Sequence, residues 1–439
     1  MYKKVILIVL ILLVSPVCFA VDRNDLNIEF FARFNDDYLF QYVNEAIDNN
    51  HNAKQVTIRV EEYRQGVKSQ FAKELPSFSV AASYLGVHVP KFNPNLQVKD
   101  NAFILPFIAN YEPDFLLKNR DKTKSVKKTY EMSKLDEKSA YLALLSDVAT
   151  VYTNILQYDK LIEEQEKIVT NYNQILKDNN KKLSRGVINT TELNNSKTNV
   201  EQASIILENL IKQREILLMQ FAVLIGRGSD KTSDIERGNI DKFEYNAVIP
   251  NEVKSDVIFS RPDVNRAELA LEKAKIDIRV ARKEFLPTFN ITGIWAFNTI
   301  APGSFFSWES SLAALLAGAT QDIFAGGRKV ANLKFQKAKY EELFEKYRQT
   351  DLEAVKEVNT SLCIIKHDTE IENKIKEKLL SEDKNLDSAN KMLKRGVISK
   401  TQYLKSENLY MNQDMDLTKA KSQRLVNYYT LYKTLGGKI

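Results

Sequence analysis

From about Phe115 to Leu183, and again from about Arg328 to Leu393, the chain contains neither proline nor glycine. These are the residues that most readily stop a helix. Within the first stretch, apolar and aromatic side chains recur at intervals of three and four, at Leu142, Leu145, Val148, Val151, Ile155, Tyr158 and Ile162. That is one stripe of a 3.6-residue period. A helix of ~65 residues rising ~1.5 Å per residue is ~100 Å long. No globular domain needs such a length, and helices well beyond 25 residues belong to coiled coils or helical tubes.

Both stretches end in the same words. "LSRGVINTTEL" begins at Leu183 and "LKRGVISKTQYL" at Leu393, and Leu183/Leu393, Arg185/Arg395, Gly186/Gly396, Val187/Val397, Ile188/Ile398, Thr191/Thr401 and Ser196/Ser406 all pair at an offset of 210. A second landmark repeats too: "ELPSFSVAASY" from Glu74 and "FLPTFNITGIW" from Phe285 place Leu75-Pro76 against Leu286-Pro287 at an offset of 211. So constant an offset implies an internal duplication. Each half is expected to run as a polar helix, Leu-Pro, short strands, a long helix, an Arg-Gly-Val-Ile turn and a return helix. In the turn, glycine supplies a left-handed C-cap, Arg185 and Arg395 suit the helix C-terminal dipole, and Asn189 or Ser399 caps the return helix.

The expected segments are 1–20, a signal peptide; 21–230, the first repeat, with strands at about 76–90 and 101–113 and its turn at 184–190; 231–252, a linker; and 253–439, the second repeat, with strands at about 287–300 and 304–324 and its turn at 394–400. The signal peptide rests on Lys3 and Lys4, the apolar run Val5 to Val14, and the small residue Ala20 before a cut. Pro16 and Val17 before Cys18 match a lipid-attachment signal poorly, so lipidation at Cys18 is not expected. Cys363 is then the sole thiol, expected to be a small buried one. With 63 basic and 57 acidic residues interspersed, no polybasic patch stands out, and a nucleic-acid partner is not expected.

After each Leu-Pro the pattern switches to period two. Phe289, Ile291, Trp295 and Phe297 fall on one face, with Thr288, Asn290 and Thr292 on the other. Phe78, Val80, Ala82 and Tyr84 oppose Ser77, Ser79 and Ser83; Phe103, Leu105, Phe107 and Tyr111 share a face; and Phe306, Trp308, Leu312 and Leu316 oppose Ser307, Glu309 and Ser311. Apolar-out, polar-in alternation over ~10 residues is what a transmembrane β-strand needs. Four strands cannot close a barrel, since the smallest common ones have about eight, so several chains must share one. The return helix after Gly186 carries heptads with Leu193, Val200, Leu207, Arg214 and Phe221 at a, and Ser196, Ala203, Leu210, Leu217 and Leu224 at d. Arg214 and its repeat mate Arg424 are expected to snorkel to the surface.

These residues resemble the TolC-like outer-membrane factors, the outer membrane efflux protein family, in its efflux-pump branch. The resemblance covers nearly all of the chain after residue 20. It is carried by "RPDVNRAELALEKAKIDIRVARKEFLPTFNITG" from Arg261, "QDIFAGGRKVANLKFQKAKYEE" from Gln321, "YRQTDLEAVKEVNTSL" from Tyr347 and "YEPDFLLKNRDK" from Tyr111. It implies a mainly α fold with a transmembrane β-barrel contribution. Long antiparallel helical hairpins would form an α-helical tunnel, and four strands per protomer a twelve-stranded barrel in a homotrimer. It implies that the tips Arg185, Gly186, Val187, Ile188, Arg395, Gly396, Val397 and Ile398 dock a periplasmic adaptor (membrane fusion) protein, which joins an inner-membrane transporter. Phe289, Ile291, Trp295 and Phe297 would face outer-membrane lipid. Some relatives ring the periplasmic entrance with acidic residues just after the turns; Glu192 fits that position, whereas the second repeat has Gln402 and Lys405.

The function this implies is the outer-membrane exit duct of a tripartite efflux system, passively conducting small toxic compounds. The alternatives are a type I protein secretion duct and, from another class, a periplasmic coiled-coil scaffold without a pore, which leaves four alternating strands unexplained. An enzyme is not expected. His51, His88 and His367 lack metal-ligand spacing, no nucleophile elbow or phosphate loop appears, and neither a metal nor a cofactor is implied.

Overall fold

The computed structural model describes residues 23–88, 99–249, 253–299, 308 and 311–438; the expected signal peptide and Cys18 lie outside them. Short helices α1 (Glu29–Ala32) and α2 (Asp37–Asn49) precede α3 (His51–Phe71), and then come strands β1 (Ser77–Val80), β2 (Ser83–His88) and β3 (Lys99–Tyr111). Helices α4 (Lys118–Ser184) and α5 (Thr190–Leu224) complete the first half. The second half holds α6 (Ser255–Phe259), α7 (Pro262–Lys283), β4 (Thr288–Thr299), β5 (Ser311–Thr320), α8 (Arg328–Lys394) and α9 (Lys400–Thr434). Helices α4 and α8 each have 67 residues, α5 and α9 each 35, and both pairs start 210 residues apart. The chain falls into two compact units, each drawing on both halves.

One unit comprises the described parts of Met1–Glu61, Glu137–Val257 and Glu357–Ile439. All ten heptad positions of α5 are buried or half-buried, from Leu193 and Ser196 to Phe221 and Leu224, while Ile205, Ile216 and Val223 between them are exposed. The seam meets a shared core in which Leu161 and Ile168 of α4, Ala203 of α5, and Met411 and Met415 of α9 touch. Toward the C-terminus of α9 the filling turns aromatic. Phe30 stacks on Tyr432 at 4.8 Å between ring centres, Phe31 and Phe34 pack on Tyr429, and Tyr152 packs on Phe221. Asp36, the N-cap of α2, accepts from the Leu39 amide at 2.9 Å and from the Tyr152 hydroxyl at 2.9 Å. Burial raises the Asp36 carboxyl above its ordinary value despite these donors.

Two expectations are corrected in this unit. Cys363 is exposed rather than buried. The buried stripe of α8 runs through Ala354, Val358, Ser361 and Ile365, and a residue two places from Ser361 lies on the opposite side of a helix. Arg424 does not snorkel: its Nε donates to Glu372 Oε2 at 2.5 Å, and the Glu372 side chain is 2% exposed. Arg214 sits 3.5 Å from Asp159, which also accepts from Arg237 at 2.5 Å.

The other unit comprises Glu62–Asp136 and Ile258–Lys356. Its sheet is antiparallel throughout, in the order β1-β3-β4-β5, with β2 also pairing to β3. Ser77–Val80 pairs with 107–110 and Ser83–His88 with 99–104, so β1 and β2 are two pieces of one interrupted strand. Four strand positions result. Cross-strand partners share a face, and the partners Phe107 and Trp295 have ring centres 6.3 Å apart. Trp295 and Phe297 lie 5.2 Å apart on the same side, and Tyr84 meets its partner Phe103 at 5.1 Å. Among the described residues β1 and β5 form no ladder with each other, so the sheet has two open edges. Where β4 meets the helices, Asp121 of α4 is held by Lys283 at 2.7 Å and Arg279 at 3.6 Å, both on α7.

The faces of β5 differ from expectation. Leu312 and Leu316 are registered against Ala296 and Thr292, and Leu315 against Gly293. Leu315 therefore joins the Trp295 face, and Leu312 and Leu316 the Thr292 face. With leucine and alanine on both faces of SLAALLAGAT, β5 has no polar alternation to set its register. Phe306 lies outside the described residues.

Candidate functional site at the hairpin tips and on the sheet face

Two structurally equal tips stand in the first unit. At the end of α4 the Val187 amide donates to Lys182 O at 2.9 Å and the Gly186 amide to Leu183 O at 2.9 Å. At the end of α8 the Val397 amide reaches Met392 O at 2.9 Å and the Gly396 amide Leu393 O at 3.0 Å. This paired closure is a Schellman motif, and it needs a left-handed residue. Gly186 and Gly396 supply it with φ of 71° and 72°. The return helices start on side-chain caps. Asn189 Oδ1 accepts from the Glu192 amide at 2.8 Å. Ser399 Oγ accepts from the Gln402 amide at 3.2 Å, while Gln402 Oε1 accepts from the Ser399 amide at 2.9 Å. Gln402 thus closes a capping box, a structural duty that the entrance ring attributed to this position by resemblance does not include.

Val187 and Val397 are each 68% exposed, Ile188 and Ile398 are half-buried, and Arg185 and Arg395 are exposed. Glu192 and Lys405 are exposed as well. The tips touch: Lys182 Nζ donates to Thr401 Oγ1 at 3.4 Å. Further along, Asn171 Nδ2 on α4 donates to Glu407 Oε2 and to Asn408 Oδ1 on α9, both at 2.8 Å. These bridges between halves were not foreseeable from the repeat, because positions 210 residues apart predict likeness and not contact. The tips also hold a local excess of basic residues that chain-wide interspersion of charge conceals. A count within a window of about twenty residues would have found it.

On the sheet, Phe289 meets Phe115 edge-on at 5.4 Å, Ile291 is half-buried, Trp295 is 49% exposed, and Phe297 is 7% exposed beneath Trp295 and Phe107. On the reverse face Thr292 Oγ1 donates to Asn110 Oδ1 at 3.0 Å, although Ile294 and Ala296 keep that face from being uniformly polar.

An antiparallel sheet with an aromatic face and two open edges, joined in one chain to paired hairpins of 67- and 35-residue helices, is the protomer fold of the outer-membrane channels. The family model for outer membrane efflux proteins matches residues 42–227 and 254–437, and the chain belongs to that family. Among relatives it is 25% identical over 418 residues to the probable outer membrane lipoprotein SilC of Salmonella typhimurium, covering 92% of this chain and 87% of the relative. It is 23% identical over 408 residues to the cation efflux system protein CusC of Escherichia coli O157:H7, covering 92% and 87%. Among solved structures, the Campylobacter jejuni CmeC outer membrane channel superposes with a TM-score of 0.83 at 21% identity, covering 92% of this chain and 86% of that one. The chain is an outer-membrane protein of a family whose members are efflux channels and not enzymes.

Proposed function

We propose that three copies of this chain form the exit duct of a tripartite efflux system. Each contributes four strand positions to a twelve-stranded barrel and its hairpins to a periplasmic tunnel. The duct passively conducts small toxic compounds delivered by an inner-membrane transporter through a periplasmic adaptor that docks on the tips. The observation that carries this is the sheet's pair of open edges, β1/β2 on one side and β5 on the other. Unpaired backbone groups in lipid cost several kcal/mol each, so the edges require partners, and only closure satisfies every strand. The two repeats, 21–230 and 253–439 with 231–252 between them, are the paired arms of each protomer. The relative named a cation efflux system protein supports export as the task.

The test is a deletion strain. Without the gene, cells should accumulate a fluorescent efflux dye and lose resistance to toxic compounds, and the wild-type gene should restore both. Unchanged accumulation across a panel of dyes, biocides and metal salts would contradict export of small compounds.

A further inference from the structure

Charge at the tips is far from even. Residues 179–200 and 388–406 hold nine basic side chains against a single carboxylate, a balance of +8 in a chain whose whole net charge is +6. The remainder of the chain is therefore slightly acidic. The bases are Lys181, Lys182, Arg185 and Lys197 on the first tip, and Lys391, Lys394, Arg395, Lys400 and Lys405 on the second; Glu192 is the carboxylate. All but Lys182 are exposed. The Lys182–Thr401 hydrogen bond at 3.4 Å joins the two clusters into one patch. Asp178, Glu201, Asp387 and Glu407 lie just beyond these stretches; counting them leaves nine bases against five carboxylates, a balance of +4 that is still positive, and of these four Asp387 pairs with one of the bases, Lys391 at 2.5 Å.

Such a patch is held together against its own repulsion, and helix capping does not require it: Asn189 and Ser399 cap the return helices without any of these bases. Rings of Lys and Arg at a constriction admit anions and repel cations, and same-sign charge in a cleft raises the local concentration of the opposite ion. We propose that the tips make the duct's periplasmic entrance electropositive, so that it favours anionic small solutes over cations. This rests on the exit-duct reading, which brings three copies of the patch around one opening.

Detergent-extracted protein reconstituted in planar bilayers under a KCl gradient tests it. The wild-type reversal potential should have the sign of chloride preference, strongest near 0.1 M salt and much weaker near 1 M, where the screening length falls from ~10 Å to ~3 Å. Combined Lys394→Glu, Arg395→Glu and Lys400→Glu should reverse the sign. Combined Lys337→Glu, Lys339→Glu and Lys346→Glu, an equal charge change at exposed positions of the other unit, should leave it alone. Conductance with potassium preference, or a chloride preference that the triple change does not alter, overturns the proposal. So does a wild-type channel without selectivity whose triple variant merely loses crosslinking to its adaptor, because the charge then serves docking. A complete absence of conductance would instead overturn the duct on which the proposal stands.

Discussion

Arg424 on α9 donates through Nε to Glu372 Oε2 on α8 at 2.5 Å, and Lys376 reaches the other carboxylate oxygen at 2.7 Å. Burial alone would raise the Glu372 carboxyl, but hydrogen bonds from Arg424 and then Lys376 outweigh it and hold it below its ordinary value. The folded group is thus the stronger acid. Its contribution to stability is present above the ordinary Glu range and is lost as pH falls through the depressed folded value. Melting of the extracted protein between pH 7 and pH 3 should show this loss, and Glu372→Gln should flatten it. Arg424→Met leaves the carboxylate buried with Lys376 alone. It should cost ~3 kcal/mol, the low end for breaking a buried pair; an unchanged melting temperature would contradict the assignment.

That pair also marks the limit of what was legible in the chain. The period of α4, the heptads of α5 and the helix-stopping glycines are local, and they survive folding because packing reinforces them. The repeat pairs Arg424 with the a-position Arg214, but a snorkelling surface arginine is the expectation because its partner Glu372 lies 52 residues away on another helix and nothing local points to it. Cys363 reads as buried among the apolar neighbours of "SLCIIKH", yet those neighbours occupy different helix faces and Cys363 is exposed. Small apolar residues line both faces of β5, so its register is set by pairing with β4 and not by its own alternation.

Val187 and Val397, each 68% exposed, are apolar groups at the end of a polar hairpin; a partner helix is their natural cover. Val187→Asp or Val397→Asp should leave assembled protein in the outer membrane, yet abolish export and reduce crosslinking from these loops to the adaptor. Normal export and crosslinking in both variants would reduce the loops to turns.

A Cβ added at Gly186 or Gly396 would meet nothing within 4 Å, so alanine there is opposed by the left-handed backbone alone. Gly186→Ala should cost ~1–2 kcal/mol of local helix-end stability, read by faster amide exchange around the tip. Crosslinking to the adaptor should persist, in contrast with the aspartate variants. Equal loss in both kinds of variant would show that tip geometry, not the valine surface, is what the adaptor reads.

Ile291 and Asn290 are neighbours on opposite faces of β4. Arg at Ile291 should cost ~2–4 kcal/mol if the position lies near the middle of the lipid, and much less near its rim. Arg at Asn290 should be tolerated. Heat-modifiable mobility of the assembled barrel reads both, and the opposite ranking would mean that the lipid face is the Thr292 side.

The most direct measurement is the mass of the detergent-extracted complex, by native mass spectrometry or light scattering with the detergent subtracted. Four strand positions with two open edges should give three protomers, recovered from the outer-membrane fraction. A monodisperse monomer stable without detergent would leave the sheet edges unpaired and contradict a shared barrel.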